Sequence, residues 1–234
     1  MPTSRTTSLL VDLDASGTNY GGTAYDDYLV QLAAGPELRL SQSASLSLEG
    51  VVAQRWYGGT VASRQVGIKA GGQKAFGMSD RTGVQIDLRR TDALFNPGYD
   101  GWQLGLYATH EHALSRALVG SAGVFVRRDW LSEPAYSNRE LGITLGFGGE
   151  LPHGITFSLS GSASQAHYDA PILFFSPKPR QDWRLFGRAA LGDRSIRVLG
   201  FSPELSLSYA RTASNVAFFS TDRLRFRVAL ARYF

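Results

Sequence analysis

Apolar and polar residues alternate along this chain with a period of two, in segment after segment, and no helical period intervenes. The alternation predicts twelve strands, at about 8–16, 28–40, 45–57, 64–76, 82–95, 102–114, 118–131, 139–150, 155–168, 182–192, 199–212 and 222–234. One face of these strands is apolar: Leu46, Leu48 and Val52; Val84, Ile86 and Leu88; Leu104 and Leu106; Leu141, Ile143, Leu145 and Phe147; Ile155, Phe157 and Leu159; Leu205 and Leu207. The other face carries Glu49, Gln85, Asp87, Glu140, Thr144, Ser158, Ser160, Arg184, Arg188 and Glu204. In the closing segment, TDRLRFRVALARYF, Leu224, Phe226, Val228, Leu230 and Phe234 share one parity, and Arg223, Arg225, Arg227 and Tyr233 the other. A soluble sandwich would alternate too, but twelve strands with a second face of Gly, Ser and charges fit a wide, wet barrel better. The fold class expected is all-β: an antiparallel transmembrane β-barrel of about twelve strands, fourteen if two are missing from this chain, with an apolar exterior and a polar lumen.

The connections sharpen this. SQSA (41–44), GMSDR (77–81), SRA (115–117), LPHG (151–154) and DRSIRV (193–198) are short. Between them lie 17–27, 58–63, 96–101, 132–137, 169–181 and 213–220, most of them longer and rich in Gly, Pro, Asn and Tyr. Short periplasmic turns and longer extracellular loops are the outer-membrane pattern, and an even strand count places both termini on the periplasmic side. In that frame Trp56, Trp102, Trp130 and Trp183 all fall at the outer rim, joined by Tyr28, Tyr57, Tyr136 and Tyr168, as an aromatic girdle. Pro36 and Pro203 sit inside strands and predict bulges or bends. Closure sets the first strand beside the last, so Asp12 and Asp14 face Arg223, Arg225 and Arg227 across the seam. That predicts a lumenal ladder of carboxylates and guanidiniums; the alternative is a cationic wall facing water.

With 234 residues and no Cys, the chain suffices for one large domain over 1–234, without disulfides or thiolate metal sites. No apolar run reaches the ~18 residues of a spanning helix. The net charge is +4, but the basic residues are interleaved singly with apolar ones, so nucleic acid is not an expected partner. The N-terminus, MPTSRTTSLLVDLDAS, has no apolar segment of a signal peptide; an outer-membrane location then implies a removed signal or a longer parent protein.

Chemistry is sparse. His110 and His112 lie towards the periplasmic end of their strand, His153 in a turn, and only His167 near the outer rim. Ser162 and Ser164 have the parity opposite to His167, so a nucleophile–base pair with Asp169 beyond it does not assemble, and no catalytic residue is assigned. Asp26, Asp27 and Asp100 lie in outer loops without Ca²⁺-ligand spacing, so no metal or cofactor is expected. Two outer loops are unusually apolar: Ile172, Leu173, Phe174 and Phe175 between prolines, and Val216, Ala217, Phe218 and Phe219 after Ser214–Asn215. Such clusters mark a contact surface or gate for a client protein, or loops folded into the barrel mouth or lipopolysaccharide.

The last third resembles the barrel domain of the surface lipoprotein assembly modifier family, through Gly200-Phe201-x-Pro203-x-Leu205, Tyr209-x-Arg211, Ser214-Asn215 and the strand to Phe234. Arg55-Trp56-Tyr57-Gly58-Gly59 is similar to another segment of that family. The resemblance runs loosely over most of the chain and is sharp over 199–234. It implies a barrel of about fourteen strands behind a periplasmic helical-repeat domain, which assists client lipoproteins across the outer membrane of a Gram-negative cell. Here no helical domain is present and twelve strands are counted, so the chain is read as the C-terminal part of such a protein or as a reduced relative. The resemblance implies no enzyme. The expected function is translocation or surface display of a partner protein, against a passive porin and, less favoured, a barrel lipid hydrolase. Expected lumen residues are Arg184, Arg188, Arg223, Arg225, Arg227, Asp12, Asp14 and Glu204; expected client contacts are Phe174, Phe175, Phe218 and Phe219. Outer-membrane lipid and lipopolysaccharide are the surrounding partners, and the strand ending in Phe234 is expected to engage the barrel assembly machinery.

Overall fold

Strands form where the alternation predicts them. The computed structural model describes residues 6–19, 23–196 and 201–231. Its strands are β1 (Thr7–Thr18), β2 (Asp27–Arg39), β3 (Ala44–Tyr57), β4 (Thr60–Phe76), β5 (Asp80–Ala93), β6 (Gly101–Ala113), β7 (Leu118–Leu131), β8 (Asn138–Glu150), β9 (Ile155–Tyr168), β10 (Gln181–Asp193), β11 (Ser202–Ser214) and β12 (Thr221–Ala231). They make one antiparallel sheet in sequence order, each strand paired with the next. The terminal Phe234 lies outside the described residues.

The register fixes the faces. Glu49 stands opposite Lys69, Lys69 opposite Asp87, and Asp87 opposite Gly105, all on one side. Val52, Val66, Leu88, Leu104 and Leu106 lie on the other. Every residue assigned above to the apolar or the polar face from Leu46 to Leu207 keeps its side, as do Leu224, Phe226 and Val228 against Arg223, Arg225 and Arg227; Tyr233 and Phe234 lie outside the described residues. The sheet curls strongly towards the polar side, so that Arg89 of β5 donates to Gln31 of β2 at 2.7 Å although two strands lie between them.

This fold is inverted relative to a water-soluble domain. The buried apolar residues are mostly alanines, with Val51 the largest fully buried one, whereas Glu49, Glu140 and Asp182 are at most 4% exposed. Leu141, Leu145, Val66 and Phe226 are 57–68% exposed on the opposite face. A continuous apolar exterior of this extent needs an apolar neighbour.

Four expectations change in detail. The connection at 58–63 is a two-residue turn, since β4 begins at Thr60; Gly58 and Gly59 take φ of 59° and 77°, the left-handed pair that a tight hairpin requires. Pro36 coincides with a gap in the β2–β3 ladder at Gly35–Pro36, where a Cβ on Gly35 would stand 1.9 Å from the Leu48 carbonyl oxygen. Pro203 instead stays in register opposite Leu230, and the register shift falls at Arg55/Trp56. The seam ladder is not formed. Among the described residues β1 and β12 are unpaired with each other, and no ion pair joins Asp12 or Asp14 to Arg223, Arg225 or Arg227. Exposed ion pairs are worth about 0–1 kcal/mol, too little to draw two strand edges together. These five residues keep the inward parity and form the open, charged margin of the sheet.

Candidate functional site

At the rim with the longer loops, the inward face holds a dense polar network. Glu140 on β8 is its centre: Arg127 (β7) donates to its Oε2 at 2.7 Å, Arg184 (β10) to the same oxygen at 2.8 Å, and the Ser164 hydroxyl (β9) to Oε1 at 2.5 Å. Four strands thus converge on one buried carboxylate. Arg184 also donates to the Tyr168 hydroxyl at 2.9 Å and lies 3.3 Å from Asp182, which is 2% exposed. A parallel group forms on β4–β6, where Arg89 holds Asp87 through two bonds of 2.6 and 2.7 Å, and Thr91 links Gln65 to Gln103. Further down the wall, Arg188 pairs with Glu204 at 3.3 Å. The buried carboxylates of Glu140 and Asp182 are tolerated here because each has a guanidinium at hydrogen-bond distance.

Loops close over this network. Tyr99, from the short helical turn Pro97–Tyr99, stacks on Tyr136 of the next outer loop with centroids 4.2 Å apart. Burial pushes the Tyr99 phenol up from its ordinary pKa. Arg180, two residues before Asp182, is sandwiched between the rings of Tyr168 at 3.7 Å and Phe219 at 4.1 Å, bonds the Tyr168 hydroxyl and lies 3.3 Å from Asp182. Below this roof is a cavity of about 480 Å³ lined by Arg89, Arg127, Arg184, Glu140, Asp129 and Tyr107, among others.

Above the roof the two apolar loops meet. Phe175 stacks on Phe218 at 4.5 Å and meets Phe219 edge-on at 5.6 Å; Phe174 packs on Phe175 at 5.0 Å. Asn215 ties the loops together: its side chain accepts from the Gln181 N–H at 2.8 Å and donates to the Pro179 carbonyl at 3.0 Å. Phe174 and Phe218 nonetheless remain 89% and 70% exposed. The two loops, tied by Asn215, thus present one aromatic cluster to solvent.

The expected residues distribute as follows. Phe174, Phe175, Phe218 and Phe219 come together. Arg184, Arg188 and Glu204 face inward and are paired, whereas Asp12, Asp14, Arg223, Arg225 and Arg227 face inward without a partner among the described residues. Trp56, Trp102, Trp130 and Trp183 share the outward parity at the loop rim, Trp102 directly opposite Trp130. Tyr28 joins them opposite Trp56. The other tyrosines do not: Tyr57 shares its side with Arg55, Tyr136 and Tyr168 belong to the roof, where their hydroxyls or rings have polar partners to meet. Ser164 points inward at Glu140 and His167 outward, so they do not meet. Asp27 is held by Arg55 through bonds of 2.8 and 2.5 Å, and Asp100 accepts from the Ala93 N–H. Arg127, Asp182, Arg180 and Tyr99 were not singled out from the sequence. The i,i+2 pair Asp182/Arg184 on the inward parity was a usable signal; Arg180, in a loop, gave none.

A model of the family described as surface lipoprotein assembly modifier matches residues 2–234. A protein of that name from Pasteurella multocida (strain Pm70) is 32% identical over 108 residues, a match covering 43% of this chain and 21% of that protein. The chain therefore aligns with about a fifth of that relative's length. One solved chain, from work described as "Unveiling the Mechanism Behind the in-meso Crystallization of Membrane Proteins", aligns over 97% of this chain and 83% of its own, at 14% identity and a TM-score of 0.45, too loosely to carry an argument.

Proposed function

Because this chain belongs to the surface lipoprotein assembly modifier family, we propose that it acts as an outer-membrane β-barrel assisting the translocation or surface display of a partner protein, a surface lipoprotein by the family's description. The membrane reading is supported by the apolar exterior and by strands of 11–17 residues, long enough for the ~9–11 of a tilted spanning strand. No helix among the described residues is long and apolar enough to cross a membrane.

The observation that carries the client reading is the exposed phenylalanine cluster, pinned directly over a roofed, charge-lined lumen through the Phe219–Arg180–Tyr168 stack. A passive porin needs an open mouth, and the lining of the lumen's outer end by the Tyr168–Arg180–Phe219 stack speaks against one. A lipid hydrolase needs His167 and a serine on one face, and they occupy opposite faces. The phenylalanines serve as the client contact, the arginine–carboxylate wall as a polar lining, and residues 1–234 as one barrel domain whose final strand engages the assembly machinery. The test is Phe174→Ser combined with Phe218→Ser. Client display on intact cells should fall severalfold while barrel folding, read as a boiled-versus-unboiled gel shift, is unchanged. Intact display would contradict the proposal.

A further inference from the structure

On the outward face at the loop rim, the charge pattern is one that the fold by itself does not explain. Arg128 on β7 stands directly opposite Arg139 on β8, and Arg139 directly opposite His167 on β9. Like charges in register on one face of a sheet destabilise it. One carboxylate answers them: Arg128 holds Asp169 by two bonds of 2.8 and 2.5 Å. Asp169 feels Arg139 at longer range, and the pairing with Arg128 lowers its pKa. Arg139 itself is exposed and makes no hydrogen bond or close ion pair among the described residues.

The pattern continues along the rim. Arg90 is opposite Trp102 and Arg64 is opposite Asp92, whose carboxylate turns to Arg90 at 3.5 Å, again leaving one guanidinium, Arg64, without an ion pair within 4 Å among the described residues. Arg211 pairs with Asp222 at 3.8 Å. On this rim's outward face the described strands present five arginines, Arg64, Arg90, Arg128, Arg139 and Arg211, of which three pair with Asp92, Asp169 and Asp222. The aromatic rings lie among them: Arg128 sits over the Trp130 ring at 5.5 Å, and Trp130 faces Trp102. Beyond them, towards the middle of the sheet, the outward face is mainly apolar, with Leu106, Val126, Leu141 and Ile143. Guanidiniums and indoles side by side at the rim, with aliphatic side chains beyond them towards the middle of the sheet, match a molecule with phosphate groups above acyl chains.

We propose that Arg139 and Arg64, flanked by Arg128, Arg90 and the Trp102–Trp130 pair, bind the phosphate groups of lipopolysaccharide in the outer leaflet. The site rests on the membrane reading above. The two free guanidiniums supply forked donors for phosphate oxygens, while Asp169 and Asp92 hold their neighbours in place and keep the patch's net charge modest.

The experiment titrates the full chain, refolded in neutral detergent, with purified lipopolysaccharide and reads tryptophan fluorescence. Phosphatidylcholine and inorganic phosphate are the control titrants. Arg139→Gln with Arg64→Gln should weaken lipopolysaccharide binding roughly tenfold, with the boiled-versus-unboiled gel shift retained. Arg81→Gln, at the opposite rim, should leave it unchanged, and neither control titrant should bind or compete. Equal binding by the double variant, an equal loss with Arg81→Gln, or displacement by inorganic phosphate would overturn the site. A chain that is monodisperse without detergent and migrates identically boiled and unboiled would overturn the membrane reading as well.

Discussion

Two stretches of the inward face use the same residue types and treat them oppositely. On β7–β10, Arg127, Arg184, Glu140 and Asp182 converge until each guanidinium has a carboxylate within 3.3 Å. At the margins, β1 carries Asp12 and Asp14 and β12 carries Arg223, Arg225 and Arg227, and none finds a partner among the described residues. The difference is backbone, not charge. Four consecutive strands in fixed register bring the first set within reach, and the curl of the sheet does the rest. The second set would need two strand edges to meet, and attraction between solvated charges is too weak to bring that about. Charge complementarity on strands is realised only where hydrogen-bonded pairing has already set the distance.

That contrast can be broken most forcefully at Glu140. Glu140→Ala leaves Arg127 and Arg184 without their shared carboxylate, and should cost about 3 kcal/mol, read as a fall in the temperature at which the unboiled gel species is lost. The roof comes next. Arg180→Ala removes two ring contacts worth about 1 kcal/mol each and should raise single-channel conductance while lowering stability only modestly. Asp169 gives a smaller, pH-dependent effect. Its carboxyl is held below the ordinary value by Arg128, so its stabilisation is present above about pH 4 and is lost as pH falls through the lower folded value. Asp169→Asn should therefore be slightly less stable than the wild type near neutrality, and the two should converge in acid. The smallest effect belongs to the margin: Asp12→Asn with Asp14→Asn should change stability by no more than about 0.5 kcal/mol. A larger loss would show that the seam is zipped by those charges after all.

All twelve strands were legible in the alternation because a barrel wall solvates its two faces differently, and period two records that directly. The face assignments of Leu141 and Glu140 followed from parity alone. What parity could not give was depth and company. Tyr168 and Trp183 are both aromatic and near one rim, yet one turns inward to Arg180 and Arg184, and the other outward. The phenylalanine loops were visible as apolar runs, but their meeting depends on Asn215, whose side chain reaches from one loop to the other. Residues 58–63 looked like a loop because Gly–Gly marks a turn; that two residues suffice was decided by their left-handed φ values.

A barrel whose charge-lined lumen is roofed by Arg180 and its two rings should pass little current at rest. Single-channel recording of the refolded chain in a planar bilayer tests it directly. A closed or briefly flickering trace, opened by Arg180→Ala, is the predicted result. A large, steady conductance from the wild-type chain would contradict the roof and favour an open pore.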